Sequence, residues 1–460
     1  MRKKIIFVAA HLGYPMDKTP LGGGAMVGVH LSRLLGSPKN RDFDFVCLGS
    51  GPHAPHEEVS YVSLKPPLFP GEHISQLSEF RYARFSRWFE KKTTRWILDR
   101  ISEFDPRNTC VIVNDISESP EIQALARKGY PILSLWHVDV VDYFNRLYLR
   151  EAVPGRWLTA GYEKFRTAKA RRFFPDILKL VFEKEREITA WSRKLVFPSQ
   201  IMKERANALY QNIFPAGELS AKSVVLPWGT WPEGINQDET LEEIQKTSQK
   251  YQLSKENHVL LTVSRISPEK GLDILLRALQ ILEKKRPEVA REIRLFICGE
   301  PAFMRGQAYA KKIDRLARGL KLARIFFPGY LTPLQKKAFF SVSDLFISPS
   351  THESYGLTIV EAMSGGCPIL ASDHYGAKDL VSSEFGRIAP YSGTQTPQAS
   401  LASNLEDLLN DKAALKKMRV YSQEAGSKMR FENAAKKIAE LALIEINQTE
   451  RNENRLETSL

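Results

Sequence analysis

Residues 350–368 read Ser350-Thr351-His352-Glu353-Ser354-Tyr355-Gly356-Leu357-Thr358-Ile359-Val360-Glu361-Ala362-Met363-Ser364-Gly365-Gly366-Cys367-Pro368. The apolar run just before them, Asp344–Ser348, is too short for a helix and reads as a buried strand. Ser348–Tyr355 therefore lies at the C-terminal end of that strand, where open α/β sheets hold their ligands. Gly356 permits close backbone approach. A helix opens near Leu357 with its first N–H groups turned to the loop, an arrangement that attracts phosphate. Glu353 falls in the loop and Glu361 on the helix, so the two carboxylates can reach different hydroxyls of one ligand. Taken alone, the pair reads more readily as a helix cap at Glu353 and a solvated helix residue at Glu361.

A second loop raises the functional reading above that one. Val263-Ser264-Arg265-Ile266-Ser267-Pro268-Glu269-Lys270-Gly271 follows a strand at His258–Val263 and precedes a helix. Arg265 and Lys270 offer a guanidinium fork and a point charge from one loop, suited to a diphosphate. Further strands are expected at Arg294–Cys298, Arg324–Phe327, Pro368–Ala371 and Arg387–Ala389. Helices are expected at Gly271–Glu283, Ala308–Gly319, Pro333–Val342, Leu357–Gly365 and Leu401–Leu409. The alternation predicts a doubly wound α/β domain with parallel strands.

The first half repeats the alternation, with strands expected at Lys4–Ala10, Asp44–Leu48, Val59–Leu64, Thr109–Val113, Pro131–Leu135, Lys194–Phe197 and Ser223–Leu226. Leu21-Gly22-Gly23-Gly24-Ala25 follows the first strand and opens a helix, and His137 ends another strand. Glycine turns are common and a lone histidine is usually structural. The polar stretch 229–250 reads as a hinge or linker, residues 430–446 as an amphipathic helix, and 447–460 as a disordered polar tail.

The chain has 460 residues, 43% hydrophobic and 26% charged, which excludes whole-chain disorder and predicts two or three domains. No apolar run is long enough for a transmembrane helix. The run Ile5–Ala10 suits a first strand better than a signal-peptide core. Cys47, Cys110, Cys298 and Cys367 form no CxxC pair and read as buried thiols in a reducing cytosol. The net charge is +13, and residues 1–235 carry 34 basic against 25 acidic side chains, so the basic surface is mostly in the first half. Nucleic acid, an anionic membrane or phosphorylated substrates suit such a balance.

The Arg265/Lys270 loop, with Glu353 and Glu361 spaced Glu-x7-Glu around Tyr355-Gly356-Leu357, resembles the retaining glycosyltransferases of family 4 (glycosyl transferases group 1). The glycine loop and His137 add to the match. The resemblance implies a GT-B fold of two Rossmann-like doubly wound parallel-sheet domains. It suggests residues 1–232 on the acceptor side, 233–428 binding a nucleotide sugar, and the helix 429–446 returning to the first domain, ahead of the 447–460 tail. It implies that Arg265 and Lys270 bind the donor diphosphate, that Glu361 takes the ribose hydroxyls, and that Glu353 holds the transferred sugar. Tyr355, Gly356 and Leu357 would lend backbone N–H groups and Thr358 a phosphate contact. Gly299 and Tyr330 would flank the base. Gly23 and Gly24 would approach the donor, and His137 would hydrogen-bond the sugar. Trp228 departs from the asparagine usual in the family. No metal and no cofactor beyond the nucleotide-sugar substrate are expected. The acceptor is a hydroxyl compound, and the expected location is cytoplasmic, with peripheral attachment to the inner membrane face in view.

Competing readings include a metal-dependent transferase at Asp42-Phe43-Asp44, which lies at a strand's start rather than its end. A nucleotide-sugar epimerase or phosphorylase of the same fold is another. A dehydrogenase is disfavoured by the absence of Gly-x-Gly-x-x-Gly. A non-enzymatic membrane- or RNA-binding protein is the last, although no RNA-recognition signature appears and nucleic acid is not the expected partner. Arg81–Arg100 carries seven basic and two acidic residues. As a helix it gathers Phe85, Trp88, Phe89 and Trp96 near one face. That face either packs into the first domain's core, lies on an anionic membrane, or helps cradle an anionic acceptor. The segment 156–205 repeats the basic excess.

Overall fold

The computed structural model describes residues 2–15, 22–38, 42–69, 72–74, 77–149, 151–166, 175–231, 234–301 and 306–458. Outside them fall Leu21 of the glycine stretch, 167–174 of the second basic segment, the 232/233 boundary expected between domains, and the last two residues. The chain forms two compact units, Met1–Pro227 with Glu432–Leu460, and Trp228–Phe431.

The first unit is built on a parallel sheet of β1 (Lys3–Val8), β2 (Phe43–Gly49), β3 (Tyr61–Ser63), β4 (Thr109–Val113), β5 (Ile132–Leu135), β6 (Lys194–Phe197) and β7 (Ser223–Val225). Their order is β3-β2-β1-β4-β5-β6-β7. The chain thus builds outward from β1 on one side, then returns to start β4 on the other. Ile6 pairs with Val46 and with Val111, so β1 lies at the centre. Strands of a parallel sheet are covered on both faces and need apolar residues at every position. β4 and β5 are buried throughout.

The second unit repeats the plan with β8 (His258–Val263), β9 (Ile293–Cys298), β10 (Arg324–Gly329), β11 (Leu345–Ser348), β12 (Ile369–Ser372) and β13 (Gly386–Ala389). The order is β10-β9-β8-β11-β12-β13, so the strand order reverses between β8 and β11. Alternation along the strands sorts the core into two layers. Leu260, Leu295, Ile297, Leu345, Ile347 and Leu370 pack with Leu275, Leu279 and Leu282 of the helix Leu272–Lys285. Val259, Leu261, Phe296, Phe346 and Ile369 pack with Phe339, Ile359 and Met363 on the opposite face.

Two expectations are corrected. The linker expected over 229–250 contains a helix, Gln237–Lys250. The Asn236 side chain accepts from the Glu239 N–H at 2.9 Å, and the Glu239 carboxylate accepts from the Asn236 N–H at 3.4 Å. This reciprocal cap starts a helix that its Glu, Gln and Lys residues then favour. The disordered tail is also corrected, because one helix runs Phe431–Thr458. Ile438, Ala442 and Ile446 of that helix are buried, and so is Thr449 beyond residue 446. In the helix Glu79–Leu98 the core reading, the favoured one of the three, holds: Phe85 and Phe89 are buried and Trp88 and Trp96 pack against the same core. The aromatic face is spent on packing. Arg84, Arg87, Lys91, Lys92 and Arg95 point outward without the apolar stripe that a lipid contact was expected to use. All four cysteines are free and buried. Among the described residues, no helix is long and apolar enough to cross a membrane.

Candidate functional site

In the second unit, the loops after β8 and β11 leave the sheet side by side at the reversal of strand order. They are sewn together by the backbone. The Thr351 N–H donates to the Glu269 carbonyl at 2.8 Å. Gly271 has a φ of +63°, and a Cβ built there would lie 2.0 Å from the Pro349 carbonyl oxygen. Only glycine satisfies both the left-handed backbone and that approach. Gly356 ends the second loop and begins the helix Leu357–Ser364.

The charges converge on this seam. The Lys270 ammonium bonds the Glu353 carboxylate, and their side chains are 12% and 25% exposed. Burial works to raise the Glu353 carboxyl, but the ammonium against it holds it down at about 2. Glu353 is therefore a carboxylate at neutral pH, and the remaining N–H groups of the Lys270 ammonium can serve an anion. Arg265 stands in the same loop, its guanidinium 3.6 Å from the Glu269 carboxylate. Behind Glu353, His374 caps the next helix, its Nδ1 accepting from the Ala377 N–H at 3.1 Å. Its Nε2 therefore carries the proton and donates to Ser348 Oγ at 3.2 Å. Burial pushes the His374 imidazole down to about 4, so it is neutral.

Glu361, on the helix Leu357–Ser364, bonds Lys336 Nζ at 2.6 Å through Oε1. Leu357 and Thr358 are half-buried in the first turn of that helix. Tyr355 is buried, and its hydroxyl donates to the Trp228 carbonyl at 2.5 Å. Gly299 follows β9 and donates its N–H to the Gly329 carbonyl at 2.8 Å, while Tyr330, just beyond, is 52% exposed. The structure thus gathers Arg265, Lys270 and Glu353 at one seam. Each of the two expected carboxylates carries a lysine. Sequence reasoning missed Lys336 and His374, which no spacing connects to the motif.

Gly23, Gly24 and His137 belong to the first unit. Gly23 opens the helix Gly23–Leu35. A Cβ at Gly24 would lie 2.8 Å from the His137 ring, so the glycine admits the imidazole against the helix start. Asn114, just past β4, ties both: its Nδ2 donates to the Gly24 carbonyl at 3.0 Å, and its Oδ1 lies 3.2 Å from His137 Nε2. Burial pushes His137 down to about 4. Beside Asn114 is a polar cluster that sequence reasoning also missed. His11 Nε2 lies 3.0 Å from Glu118, and Tyr82 donates to Glu118 at 2.9 Å. Burial and the neighbouring Glu118 raise the Asp115 carboxyl to about 7. His11, Asp115 and Glu118 follow β1 and β4, where the strand order of the first sheet reverses, and Tyr82 joins them from the helix Glu79–Leu98. Among the described residues, no group of three or more His, Cys, Asp or Glu side chains could hold a metal ion.

Residues 243–428 match the family model of glycosyl transferases group 1. The lipopolysaccharide 1,2-N-acetylglucosaminetransferase of Salmonella typhimurium is 30% identical over 43% of this chain and 48% of its own length. The chain thus spans about half the length of that curated relative, and still less of others it matches. Over nearly its whole length the fold is similar to that of sucrose-phosphate synthase from Thermosynechococcus elongatus, with a TM-score of 0.66 at 16% identity, covering 96% of this chain and 98% of that one. It is also similar to Anabaena HepE solved with UDP and glucose, with a TM-score of 0.62 at 18% identity, covering 95% and 99%. Residues 243–428 of the second unit, which carry the seam of Arg265, Lys270 and Glu353, are accordingly similar to the glycosyl transferases group 1, in a chain of the GT-B fold.

Proposed function

We propose that the chain transfers a hexosyl unit from a nucleotide-diphosphate sugar to a hydroxyl acceptor, with retention of anomeric configuration and without an essential metal. The observation that carries this reading is the Lys270–Glu353 ion pair beside Arg265, at a strand-order reversal within residues 243–428, which match glycosyl transferases group 1. A diphosphate accepts charge-assisted hydrogen bonds from Arg265 and Lys270, and the start of the helix Leu357–Ser364 favours negative charge nearby. Glu353 holds sugar hydroxyls and Glu361 the ribose hydroxyls. HepE, solved with UDP and glucose, supports a nucleotide-sugar donor.

In the reaction, the bond between the sugar C1 and the phosphate oxygen breaks, and its electron pair leaves on the diphosphate. Arg265 and Lys270 stabilise that growing charge in place of a metal ion. The acceptor oxygen bonds C1 from the leaving-group side, and its proton passes to the departing phosphate. His137 is assigned a hydrogen bond to the sugar; as a neutral imidazole it can donate or accept there.

The test is release of nucleoside diphosphate from a panel of UDP-, GDP- and ADP-sugars, with and without EDTA. Turnover of at least one donor, unaffected by EDTA, is expected. Turnover abolished by EDTA and restored by Mn²⁺ overturns metal independence, and turnover of none overturns the reading.

A further inference from the structure

We infer that Lys336 is a positioning residue for the nucleotide: its ammonium fixes the Glu361 carboxylate to receive the vicinal hydroxyls of the ribose. The inference rests on the donor reading above. It adds a residue that lies outside the Glu-x7-Glu motif and outside the Arg265/Lys270 loop.

Lys336 stands in the first turn of the helix Pro333–Val342, whose start is closed by a reciprocal cap. The Gln335 N–H donates to Thr332 Oγ1 at 3.3 Å, and the Thr332 N–H donates to Gln335 Oε1 at 3.1 Å. Ala338, Phe339 and Phe340 anchor the helix in the core. Glu361 is placed as firmly, because Val360, Ala362 and Met363 around it are buried. Two rigid helices thus deliver an ammonium and a carboxylate to one point, where Nζ and Oε1 are 2.6 Å apart.

The pair is unlike an ordinary surface ion pair. Its side chains are 19% and 15% exposed, against 61% and 65% for Lys246 and Glu242 on a solvent-facing helix of the same unit. Removing most water strengthens the bond and restricts the carboxylate to one orientation. The ammonium engages Oε1, and a carboxylate has further lone pairs to offer a ligand. A vicinal diol needs acceptors for two protons and accepts donors at its own oxygens. Glu361 and Lys336 together present both. The arrangement parallels Lys270 on Glu353, so each motif carboxylate is held by a lysine from another element.

The test is calorimetric titration of the full chain with UDP, ADP and GDP and with the 2′-deoxy form of each. The wild type is expected to bind at least one ribonucleotide about tenfold or more tightly than its deoxy form, the scale of one charged hydrogen bond. Lys336→Met is expected to cut that preference to about twofold or less, and Lys336→Arg to keep most of it. Thermal midpoints control for folding, and Lys336→Gln replaces the methionine variant if that one does not fold. A preference unchanged in the methionine or glutamine variant overturns this inference and leaves the donor reading standing. So does a wild type that binds without preferring ribose. A wild type that binds none of the three overturns the donor reading itself.

Discussion

Lys270 pairs with Glu353, and in the proposed reaction it also presents positive charge to the leaving group. Lys270→Ala is expected to lower turnover by about two to three orders of magnitude, the cost of one contact that strengthens in the transition state. The same change removes the chief influence opposing the burial of Glu353, so its carboxyl rises from about 2. Assays of donor turnover across pH check both effects: the variant loses rate and its residual activity gains an acid limb. A pH effect on stability belongs to His374. Its folded value of about 4 lies below the ordinary imidazole range near 6.5, so the unfolded chain takes up a proton that the folded chain refuses. Stability from this group is present above pH 6.5 and is lost as pH falls toward 4. Relative to His374→Asn, the wild type is expected to lose up to about 1.4 kcal/mol per pH unit in that window, read by urea unfolding at pH 7 and pH 5. An unchanged difference between the two proteins counts against a buried neutral imidazole. Arg265, Lys270, Glu353 and Glu361 were legible because each sits in or just after a loop that a strand announces. Lys336 and His374 were not, because their partners come from other elements and only the packed unit brings them together.

At the scale of elements, the apolar runs decided most of the fold. A strand buried on both faces is mostly apolar, and its short length between turn residues separates it from a buried helix. The misreadings came where polarity was taken for irregularity. Gln237–Lys250 buries Thr240 and Thr247 rather than large apolar residues, so its helical period is faint, although Asn236 and Glu239 spelled out its cap. The helix Glu79–Leu98 presented the reverse problem. Its aromatic face and basic flanks favour a core over a membrane only narrowly, because the sequence holds no neighbour to choose between them. Packing chooses the core. Phe89→Ala is expected to cost about 3–5 kcal/mol of stability, as for other buried aromatic truncations. Lys91→Ala and Lys92→Ala, on the outer face, are expected to stay within about 0.5 kcal/mol. Urea unfolding distinguishes the two sites, and a neutral Phe89→Ala would return the aromatic face to solvent.

For the molecule as a whole, two parallel sheets each reverse their strand order once, between β1 and β4 and between β8 and β11. Each reversal gathers polar side chains at the C-terminal ends of its strands, as open α/β sheets do where ligands bind. The second reversal holds the Arg265, Lys270 and Glu353 seam. The first holds Gly24, Asn114 and His137 beside the His11–Glu118 pair. The repeated architecture was legible from alternating periodicity. The polar cluster of the first unit was not, because its members are scattered from His11 to Glu118. The central claim is that the loops after β8 and β11 bind the diphosphate of a nucleotide. Amide hydrogen exchange of the intact chain, with and without saturating UDP, GDP and ADP in turn, tests it most directly. The account predicts slowed exchange at 264–271 and 349–361 with at least one of them. Protection confined to other segments, or none with any of the three, contradicts it.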